Sequence, residues 1–443
     1  MVVKKETKLI EFEKALSAVL KNVPAVGTES LKLSSAVGRV LMENIKADRP
    51  IPPFNRSAMD GYAVRFSDFQ KGQTLFTVVG TLEAGREWKG DFKKGEALKI
   101  MTGAPVPLGA DMVIKVENSR IVNGVVGLSS VGSKKRLNTG APVPLGADMV
   151  IKVENSKRGD DKVELAETKP AKWLNVHRQG SDIKKDKTVL RKGKLLRPAD
   201  IPTASSVGAA TLKVSKQIKV SVITTGSEIV SVEKKPKSYE IRDSNLAFLR
   251  ATLQSMPSIS ASYAGPLKDD PALFKRNLIK EISKSDLVIV TGGVSMGDSD
   301  YTYRVLEELK VKKIFHKCAI RPGKPIWFGL QGRCAIFGLP GNPVSVMATF
   351  HEFVLPALKK MSCASEVMPN SLRSPLISAL SKKHGLREFR PALLSNEGVV
   401  SVGGYKGSGD FINASLGNGF VVLPEEKRDF PVGESVEFHP WTF

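Results

Sequence analysis

The stretch around Ile289 to Ser345 decides the fold, because it holds three apolar runs that each end in a loop rich in glycine or proline. The segments read VIVTGGVSMGDSDY (288–301), AIRPGKPIWFG (319–329) and AIFGLPGNPVSV (335–346). Glycine lets a backbone approach a ligand closely. The first loop adds carboxylates and the second adds basic side chains. We therefore expect this region to bind a large phosphorylated ligand with a metal ion or an oxyanion beside it.

The region on either side of these loops alternates between apolar strands and amphipathic helices. Strands are predicted at 218–224, 287–291 and 334–339, and helices at 244–256, 271–283, 301–310 and 344–361, with Asp270 as an N-cap before Pro271. Fully apolar strands that alternate with helices favour a parallel sheet covered on both faces. Residues 8–22 predict another helix. The segments 57–156 and 364–443 contain short strands separated by turns.

Length and composition indicate a multidomain globular protein. The chain has 443 residues, 41% hydrophobic and 25% charged, so three or four domains are expected. The N-terminal sequence does not resemble a signal peptide, and no apolar run is long enough to cross a membrane. The three cysteines have no metal-ligand spacing. We expect a cytoplasmic protein with reduced thiols and no membrane association.

The chain is strongly basic, with 67 Lys and Arg against 45 Asp and Glu, a formal charge of +22. Such a charge can simply reflect a solvated basic surface. It can also attract an anionic substrate or bind nucleic acid. The basic residues are scattered, and the sequence contains no helix-turn-helix, RNP-type or zinc-finger pattern. A nucleic-acid partner is therefore not expected.

The three loops have the residue types that bind anions and magnesium. The amides of Gly292 and Gly293 can bind phosphate, and Asp298 and Asp300 can bind Mg²⁺. Arg321 and Lys324 lie on a proline-stiffened turn, and GLPGNP (338–343) opens a helix. Each loop also has a simpler interpretation. The first can be a capped strand-to-helix turn, the second a solvated basic turn, and the third a plain connection between a strand and a helix.

Further acidic residues in tight loops are Asp60, Glu228 and Asp243. Each can be a helix cap or a solvated carboxylate, and together they can supply oxygen ligands to magnesium. The five histidines show no metal-ligand spacing and are interpreted as structural or surface residues. No serine or cysteine nucleophile with a partner histidine can be identified.

Seven ordered motifs resemble those of the molybdopterin molybdenumtransferases, a family that includes the E domain of gephyrin. They read PPFNRSAMDGYAV, MTGAPVPLGADMVI, TTGSE, RDSN, VTGGVSMGDSDYT, RPGKP and FGLPGNPVS, and they span nearly the whole chain. The resemblance implies that adenylylated molybdopterin and molybdate are converted to molybdenum cofactor and AMP in a magnesium-dependent step. It also implies a homodimer whose clefts combine the sheet domain with a lid from the other subunit, and a molybdopterin adenylyltransferase as pathway partner.

The resemblance implies a multidomain α/β plus β fold with a central doubly wound molybdopterin-binding α/β domain. The expected domains are a mixed N-terminal α/β linker and dimerisation domain (1–49 with 157–215), a β lid domain (50–156), the molybdopterin-binding domain (216–363) and a C-terminal β-barrel-like domain (364–443).

The resemblance also assigns roles to individual residues. The matching positions are catalytic Asp60, Thr102, Asp182, Arg321 and Lys324; substrate-binding Gly292, Gly293, Ser295, Gly297, Asp298, Pro325, Gly341, Asn342, Arg387 and Ser408; and metal-binding Glu228, Asp243 and Asp300. Two positions depart from the usual pattern. Arg321 replaces a frequent lysine, which gives a wider fork of donors, and Ser181 precedes Asp182 where the family often has glutamate.

One feature has no counterpart in the family. Residues 102–119, TGAPVPLGADMVIKVENS, recur without change at 139–156, an offset of 37 residues. Two perfect copies differ from a repeat architecture, which needs at least three diverged units, and fit a recent duplication or a sequence-assembly error. The first copy follows the usual EALKI context, so we expect it to occupy the native position with Thr102 and Glu117, and the second copy to be an added segment.

Two other interpretations follow from the same resemblance. Gephyrin's homologous domain also anchors a receptor loop, so the chain could be a binding scaffold. A molybdopterin adenylyltransferase shares the glycine-rich sheet domain, but it lacks the flanking β domains and usually has a GGTG-type loop where this chain has GGVSMGD. The enzyme that inserts molybdenum is the interpretation favoured by the complete set of motifs.

Overall fold

The structure, a computed structural model, describes residues 9–107, 109–115, 118–121, 162–165, 167, 169–293 and 301–441. The chain divides into two compact units. The first consists of Met1–Glu43, Arg191–Pro202 and Ala209–Phe443, and the second of Asn44–Leu190 and Thr203–Gly208. Within the described ranges, no helix has the length and hydropathy required to cross a membrane.

A six-stranded sheet forms the centre of the first unit. Its strands are β1 (Ile218–Thr225), β2 (Ile259–Leu267), β3 (Leu287–Thr291), β4 (Lys312–His316), β5 (Trp327–Gln331) and β6 (Cys334–Leu339), in the order β2-β1-β3-β6-β5-β4. Strands β2, β1, β3 and β6 are parallel, and the β4–β5 edge is antiparallel. The predicted bounds of β3 and β6 are confirmed.

Both faces of this sheet are buried, which explains the continuous apolar runs in the sequence. Ile289 of β3 packs into one core with Leu249, whereas Val288 and Val290 pack into another with Phe274 on the opposite face. Helices Ser244–Gln254 and Pro343–Thr349 cover the first face, and Pro271–Lys284 and Tyr301–Glu308 cover the second. The predicted doubly wound architecture is therefore confirmed.

Local signals set the ends of these helices. Asp270 accepts hydrogen bonds from the N–H groups of Ala272 and Leu273, and Pro271 occupies the first turn, as predicted. The last helix of this domain runs from Pro343 to Met361, but a π-helical turn, Phe350–Val354, interrupts it. Nothing in the sequence pattern indicates this turn.

The N-terminal helix, Phe12–Asn22, is shorter than the predicted 8–22 and packs on the same core as the sheet. The ring of Phe12 makes edge contacts with Phe353 of the π turn and with Phe389 of the C-terminal region, each at 5.3 Å between centroids. Three parts of the chain that are distant in sequence therefore share one hydrophobic core.

The C-terminal region forms a second sheet of the first unit. Its strands are, in sheet order, Ile320–Arg321, Arg387–Leu394, Gly419–Leu423, Ser435–Pro440 and Leu372–Pro375, with Val400–Ser401 paired to Arg387–Leu394. Ile320–Arg321 pairs in parallel with Arg387–Glu388, and the other neighbours are antiparallel. This first pairing joins the RPGKP turn to the C-terminal sheet.

Smaller elements complete the first unit. They are the paired strands Thr28–Lys32 and Thr211–Ser215, Ile229–Val230 and Ile241–Arg242, and Leu380–Ser381 and Asp429–Phe430, the 3-10 helix Leu33–Ser35 and the helix Phe411–Ala414. Helix Asp200–Ser206 runs from the first unit into the second.

The second unit contains a six-stranded mixed sheet. The strands are, in sheet order, Met112–Lys115, Gly61–Val64, Glu96–Ile100, Leu75–Leu82, Lys162–Leu165 and Ser119–Ile121. Phe76, Leu98 and Val113 lie in its core and are almost fully buried. Helix Phe66–Gln70 and the two-stranded pairs Ile45–Lys46 with Thr188–Leu190 and Arg56–Ser57 with Val176–His177 complete it.

The first copy of the duplicated segment supplies a core strand of this sheet. Met112–Lys115 pairs with Gly61–Val64, and its side chains Met112, Val113 and Ile114 are fully buried. The prediction that the first copy occupies the core strand is therefore confirmed. Glu117 and the whole second copy lie outside the described residues. The expected division into four domains, with its boundaries, stays a prediction.

Candidate functional site

The carboxyl ends of the parallel strands meet at one edge of the central sheet, where ligands bind in open α/β sheets. The loop after β3 begins with Gly292 and Gly293, and the loop after β6 contains Gly341 and Asn342. A Cβ atom on Gly341 would lie 3.9 Å from the Cα atom of Gly292. The structure therefore brings the first and third loops of the opening motif together.

Gly292 and Gly293 have conformations that require glycine. Gly292 has a φ of 91°, and a Cβ atom there would lie 2.4 Å from the carbonyl oxygen of Thr225. Gly293 has a φ of 63°, and its Cβ would lie 2.5 Å from Oγ1 of Thr302. Ser295, Gly297, Asp298 and Asp300 lie outside the described residues.

Several buried polar groups surround the start of this loop. Thr291 and Thr302 each bury a hydroxyl that makes no hydrogen bond with any described residue. The hydroxyl of Tyr301 donates to Asp269 at 3.1 Å, and burial raises the pKa of Tyr301 to about 12. Buried hydroxyls normally have partners, and those of Thr291 and Thr302 lie at the start of the loop without one among the described residues.

Two of the predicted metal ligands lie at the ends of neighbouring short strands. Ile229–Val230 pairs in parallel with Ile241–Arg242, and the N–H of Ile241 donates to the carbonyl of Glu228 at 2.8 Å. Asp243 is 3% exposed, accepting from the Thr224 hydroxyl at 2.6 Å and from the N–H of Leu246 at 2.9 Å. Asp243 is therefore a helix cap, whereas the Glu228 side chain is exposed.

The RPGKP turn presents two exposed cations. The N–H of Ile326 donates to Gly323, and Gly323 packs closely against Thr349 of the helix that follows GLPGNP. Arg321 and Lys324 are exposed, and neither makes an ion pair or side-chain hydrogen bond with the described part of the chain. Pro325 is half-buried in the same turn. The two cations are therefore available to an anion.

Ser408 of the C-terminal region lies against the GLPGNP loop. The Asn342 side-chain amide donates to the Ser408 hydroxyl at 2.8 Å, and the N–H of Val344 donates to the Ser408 carbonyl at 3.0 Å. From the other side, the Asn245 amide donates to the carbonyl of Gly341 at 2.7 Å. The structure therefore places Ser408 beside two predicted substrate-binding residues.

A cationic cluster extends from Arg321 along the C-terminal sheet. Arg321 is the register partner of Glu388, and Glu388 accepts from Nε of Arg390 at 2.8 Å. Burial raises the pKa of Tyr405 to about 12, with Glu388 raising it further and Arg321 and Arg390 lowering it. Burial also lowers the pKa of His384. Arg321 and Arg390 lower this pKa as well, whereas Glu388 raises it. Arg321, Arg390 and Tyr405 therefore lie within electrostatic reach of one another.

Arg387 does not join this cluster. Its guanidinium forms ion pairs with Glu13 at 2.5 Å and Glu425 at 3.2 Å, and it lies 4.9 Å from the ring centroid of Phe12. No described contact brings it to Ser408. Successive side chains of a strand point to opposite faces, so Arg390 shares a face with Glu388 and Arg387 does not. Arg390 was not among the predicted residues, although that alternation could have indicated it.

The remaining predicted residues belong to the second unit. Asp60 accepts hydrogen bonds from both the N–H and the hydroxyl of Thr102, so these two are brought together. Asp182 is exposed, and its carboxylate accepts from the Ser181 hydroxyl at 3.1 Å. No described contact links Asp182 to Asp60.

Family models match nearly the whole chain. The MoeA N-terminal region (domain I and II) matches residues 10–135 and 129–208, the probable molybdopterin binding domain matches 221–360, and the MoeA C-terminal region (domain IV) matches 373–441. The chain belongs to the MoeA family. Each of the two overlapping N-terminal matches contains one copy of the duplicated segment, so the duplication is an addition to the family pattern.

Individual relatives agree with this assignment. The chain is 33% identical to a molybdopterin molybdenumtransferase of Haemophilus influenzae over 98% of this chain and 99% of the relative. It is 28% identical to one of Synechocystis over 98% and 100%. A crystal structure of the molybdopterin biosynthesis MoeA protein from Pyrococcus horikoshii is 29% identical, with a TM-score of 0.76 over 98% of this chain and 100% of that one. These MoeA-family relatives support a transferase role in molybdenum cofactor biosynthesis.

Proposed function

We propose that the chain inserts molybdenum from molybdate into adenylylated molybdopterin and releases AMP. Relatives that match this chain over nearly their whole length are named molybdopterin molybdenumtransferases, which supports the proposal. One structural observation carries it, namely that Arg321 and Lys324 are exposed and unpaired with described residues beside a sheet edge rich in backbone amides. Both substrates are anions, so such a site suits them electrostatically.

The molybdate end of the proposed site is the Arg321 cluster. Arg321 and Lys324 provide fixed cations on a turn stiffened by two prolines, and strand alternation places Arg390 on the same face as Glu388, the register partner of Arg321. Charge-assisted hydrogen bonds from guanidinium groups are stronger than neutral ones and fix the orientation of an oxyanion. Arg387 is proposed to act structurally, because two carboxylates, Glu13 and Glu425, pair with it, whereas among the described residues Arg390 pairs with Glu388 alone.

The nucleotide end of the proposed site is the edge formed by the glycine loops. The amides of Gly292 and Gly293 and the residues Gly341, Asn342 and Ser408 surround the position where phosphate binds in related sheets. Positive φ values and close backbone contacts keep this edge preorganised, so little conformational entropy is lost on binding.

Glu228 is the described side chain that best fits magnesium. Its carboxylate is exposed at the loop after β1, and hard oxygen ligands are those that Mg²⁺ prefers. Asp243 follows the paired strand Ile241–Arg242, at the opposite end of the strand pair from Glu228, and Asp300 belongs to the loop after β3. When bound, Mg²⁺ would neutralise phosphate charge. Glu228 would hold the ion, while Asp243 fixes the helix that supports Gly341.

Catalysis by positioning is the proposed mechanism, because the described chain offers no activated nucleophile. Burial raises the pKa values of Cys318 and Cys334 to about 12, so neither is a thiolate at neutral pH. Fixed cations would hold molybdate near the dithiolene and stabilise charge on departing AMP. Asp60, Thr102 and Asp182 are proposed to act from the lid domain of a homodimer. A molybdopterin adenylyltransferase is proposed to supply the substrate.

The test is AMP release by the full-length chain. The protein is mixed with adenylylated molybdopterin and Mg²⁺, with and without molybdate, and AMP is quantified by chromatography. We expect release that depends on molybdate, and a loss of about 10- to 100-fold in Arg321→Gln because a charge-assisted contact is removed. Arg276→Gln, an exposed arginine on helix Pro271–Lys284, is the control. Absent release, or release indifferent to molybdate, contradicts the proposal.

A further inference from the structure

A buried cluster of two histidines and a glutamate lies outside the proposed site. His351 and Glu352 belong to the π turn of helix Pro343–Met361, and His439 belongs to the last strand, Ser435–Pro440. Their relative exposures are 1%, 1% and 8%. One ligand atom from each residue lies within 4.8 Å of the others. Side chains from two distant regions therefore converge on one buried point.

Both histidines direct Nδ1 at the same carboxylate. The Nδ1 of His351 lies 2.8 Å from Oε1 of Glu352, and the Nδ1 of His439 lies 3.0 and 3.1 Å from its two oxygens. The opposite ring nitrogens face acceptors as well. The Nε2 of His351 lies 3.1 Å from the carbonyl of Pro440, and the Nε2 of His439 lies 3.1 Å from the carboxylate of Glu437.

This pattern determines where the protons lie. A carbonyl only accepts, so Nε2 of His351 carries a proton, and the Glu437 carboxylate similarly favours a proton on Nε2 of His439. If both imidazoles are neutral, the Nδ1 atom of each ring then presents a lone pair to the Glu352 carboxylate. The carboxylates favour positive charge beside the two rings. Burial lowers the pKa of His439, but Glu352 and Glu437 raise it more, to about 9, so a single imidazolium at His439 is the competing arrangement. A second imidazolium at His351 would lie 6.3 Å from the first between ring centroids, which is unfavourable.

We propose that His351, Glu352 and His439 bind one divalent transition-metal ion, with Zn²⁺ as the preferred ion. One divalent ion supplies the required charge at a single point, and both imidazoles stay neutral. Two imidazole nitrogens and a carboxylate are ligands that Zn²⁺ accepts. Tetrahedral Zn²⁺ would separate its ligand atoms by about 3.3 Å. The nitrogen-to-oxygen separations, 2.8 Å for His351 and 3.0 Å for His439, would need to grow by a few tenths of an ångström, and all three ligand atoms lie within 4.8 Å of one another.

The outer contacts match those of metal-binding histidines. A ligating histidine usually donates its other ring N–H to a carboxylate or a backbone carbonyl, which fixes the tautomer and the ring orientation. Here Glu437 and the carbonyl of Pro440 provide those acceptors. A cavity of about 600 Å³ is lined by His439 and Glu437, with Glu13 at its wall. The cavity reaches the His439 side of the proposed site.

The proposed ion would have a structural role that does not depend on the proposed reaction. It would tie the π turn of the sheet domain to the last strand of the C-terminal sheet. Because a bound metal stabilises the state that binds it, its removal is expected to weaken this connection.

The experiment measures metal in untagged, full-length protein. After equilibration with Zn²⁺ and desalting, inductively coupled plasma mass spectrometry should find about one zinc per chain. Titration of the chelated protein with Co²⁺ should produce d–d absorption bands between about 500 and 700 nm, as expected for low-coordinate Co²⁺ with imidazole ligands. Both signals should be lost in His439→Gln and retained in the matched control His177→Gln, which lies in the second unit.

A second variant covers the case in which His439→Gln does not fold. Glu437→Gln keeps an acceptor at the outer position and should weaken metal binding by about 10- to 100-fold. Wild-type protein that is folded and stays free of zinc and of Co²⁺ bands overturns the proposal and indicates a network held by protons alone. Equal zinc in wild type and folded His439→Gln also overturns it.

Discussion

Arg387 and Arg390 are three residues apart on one strand, yet their surroundings differ completely. Arg387 pairs with Glu13 and Glu425 beside the N-terminal helix, whereas Arg390 lies with Glu388 on the side of Arg321. The resemblance to known relatives selects Arg387 because motif matching reads residue types in order. Ion pairs with residues far away in the sequence are not visible in a motif. The alternation of side chains along a strand is visible in the sequence, and it favours Arg390.

Gly292 gives a residue-scale prediction. In Gly292→Ala the new Cβ would lie 2.4 Å from the Thr225 carbonyl at a φ of 91°, so the free energy of unfolding should fall by about 2–4 kcal/mol. Gly332→Ala is the matched control, because its φ of 58° is also positive but no atom lies within 4 Å. Urea denaturation measures both. Equal losses in the two variants would show that the close contact has no effect.

At the scale of elements, the sequence predicts the central sheet well and the later elements less well. The strands Leu287–Thr291 and Cys334–Leu339 are predicted with their observed bounds, because both faces are buried and the apolar runs are uninterrupted. Asp270 and Pro271 likewise mark a helix start. The π turn at Phe350–Val354 was missed, because the helical periodicity of the sequence continues through it.

Glu281 anchors helix Pro271–Lys284 to the sheet and predicts a pH dependence. It accepts from the Ser221 hydroxyl at 2.6 Å and pairs with Lys284 at 2.8 Å. Burial raises its pKa, but Lys284 and Ser221 lower it more, so the net pKa lies below the ordinary 4.5. The ionised carboxylate therefore stabilises the fold fully above pH 4.5, and this contribution disappears as the pH falls through the lower folded pKa.

Glu281→Gln should consequently lower the free energy of unfolding by about 1–3 kcal/mol at pH 7. The difference from wild type should shrink as the pH falls below 4. Thermal melts across this pH range measure it, and Glu307→Gln, an exposed glutamate on a neighbouring helix, is the control. A difference that stays constant with pH would contradict the role assigned to the ionised carboxylate.

At the scale of the whole molecule, the shared core of the first unit was not predictable from the sequence. Phe12, Phe353 and Phe389 meet although they come from three expected domains. Periodicity reports which face of an element is apolar, and it does not report which distant element covers that face. The same reasoning explains the His351–Glu352–His439 cluster, because spacing along the chain could not indicate that His439 meets the π turn.

The candidate site was predicted in part for similar reasons. Gly292, Gly341 and Asn342 follow strand ends, so their position at one edge follows from the topology alone. The contact of Ser408 with Asn342 is not indicated by any local pattern, because 66 residues separate the two. Asp243 could equally be a cap or a ligand in the sequence, and the structure shows the cap.

The duplicated segment gives a prediction for the whole chain. Deletion of residues 120–156 leaves 406 residues and joins Ser119 directly to Lys157. Because the first copy already supplies Met112–Lys115 to the core, the deletion variant should be soluble and unfold with a transition temperature at or above that of the full chain. Differential scanning calorimetry measures this. A variant that fails to fold would show that residues 120–156, which include Arg120 and Ile121 of the strand Ser119–Ile121, are required.

The central claim is that the Arg321 cluster, and not Arg387, receives molybdate. Steady-state AMP release at varied molybdate concentration tests it most directly. Arg390→Gln should raise the KM for molybdate by about 10- to 100-fold, since a charge-assisted contact is lost, while Arg387→Gln should leave that KM unchanged and lower thermal stability. A raised molybdate KM in Arg387→Gln, together with an unchanged one in Arg390→Gln, would contradict the account.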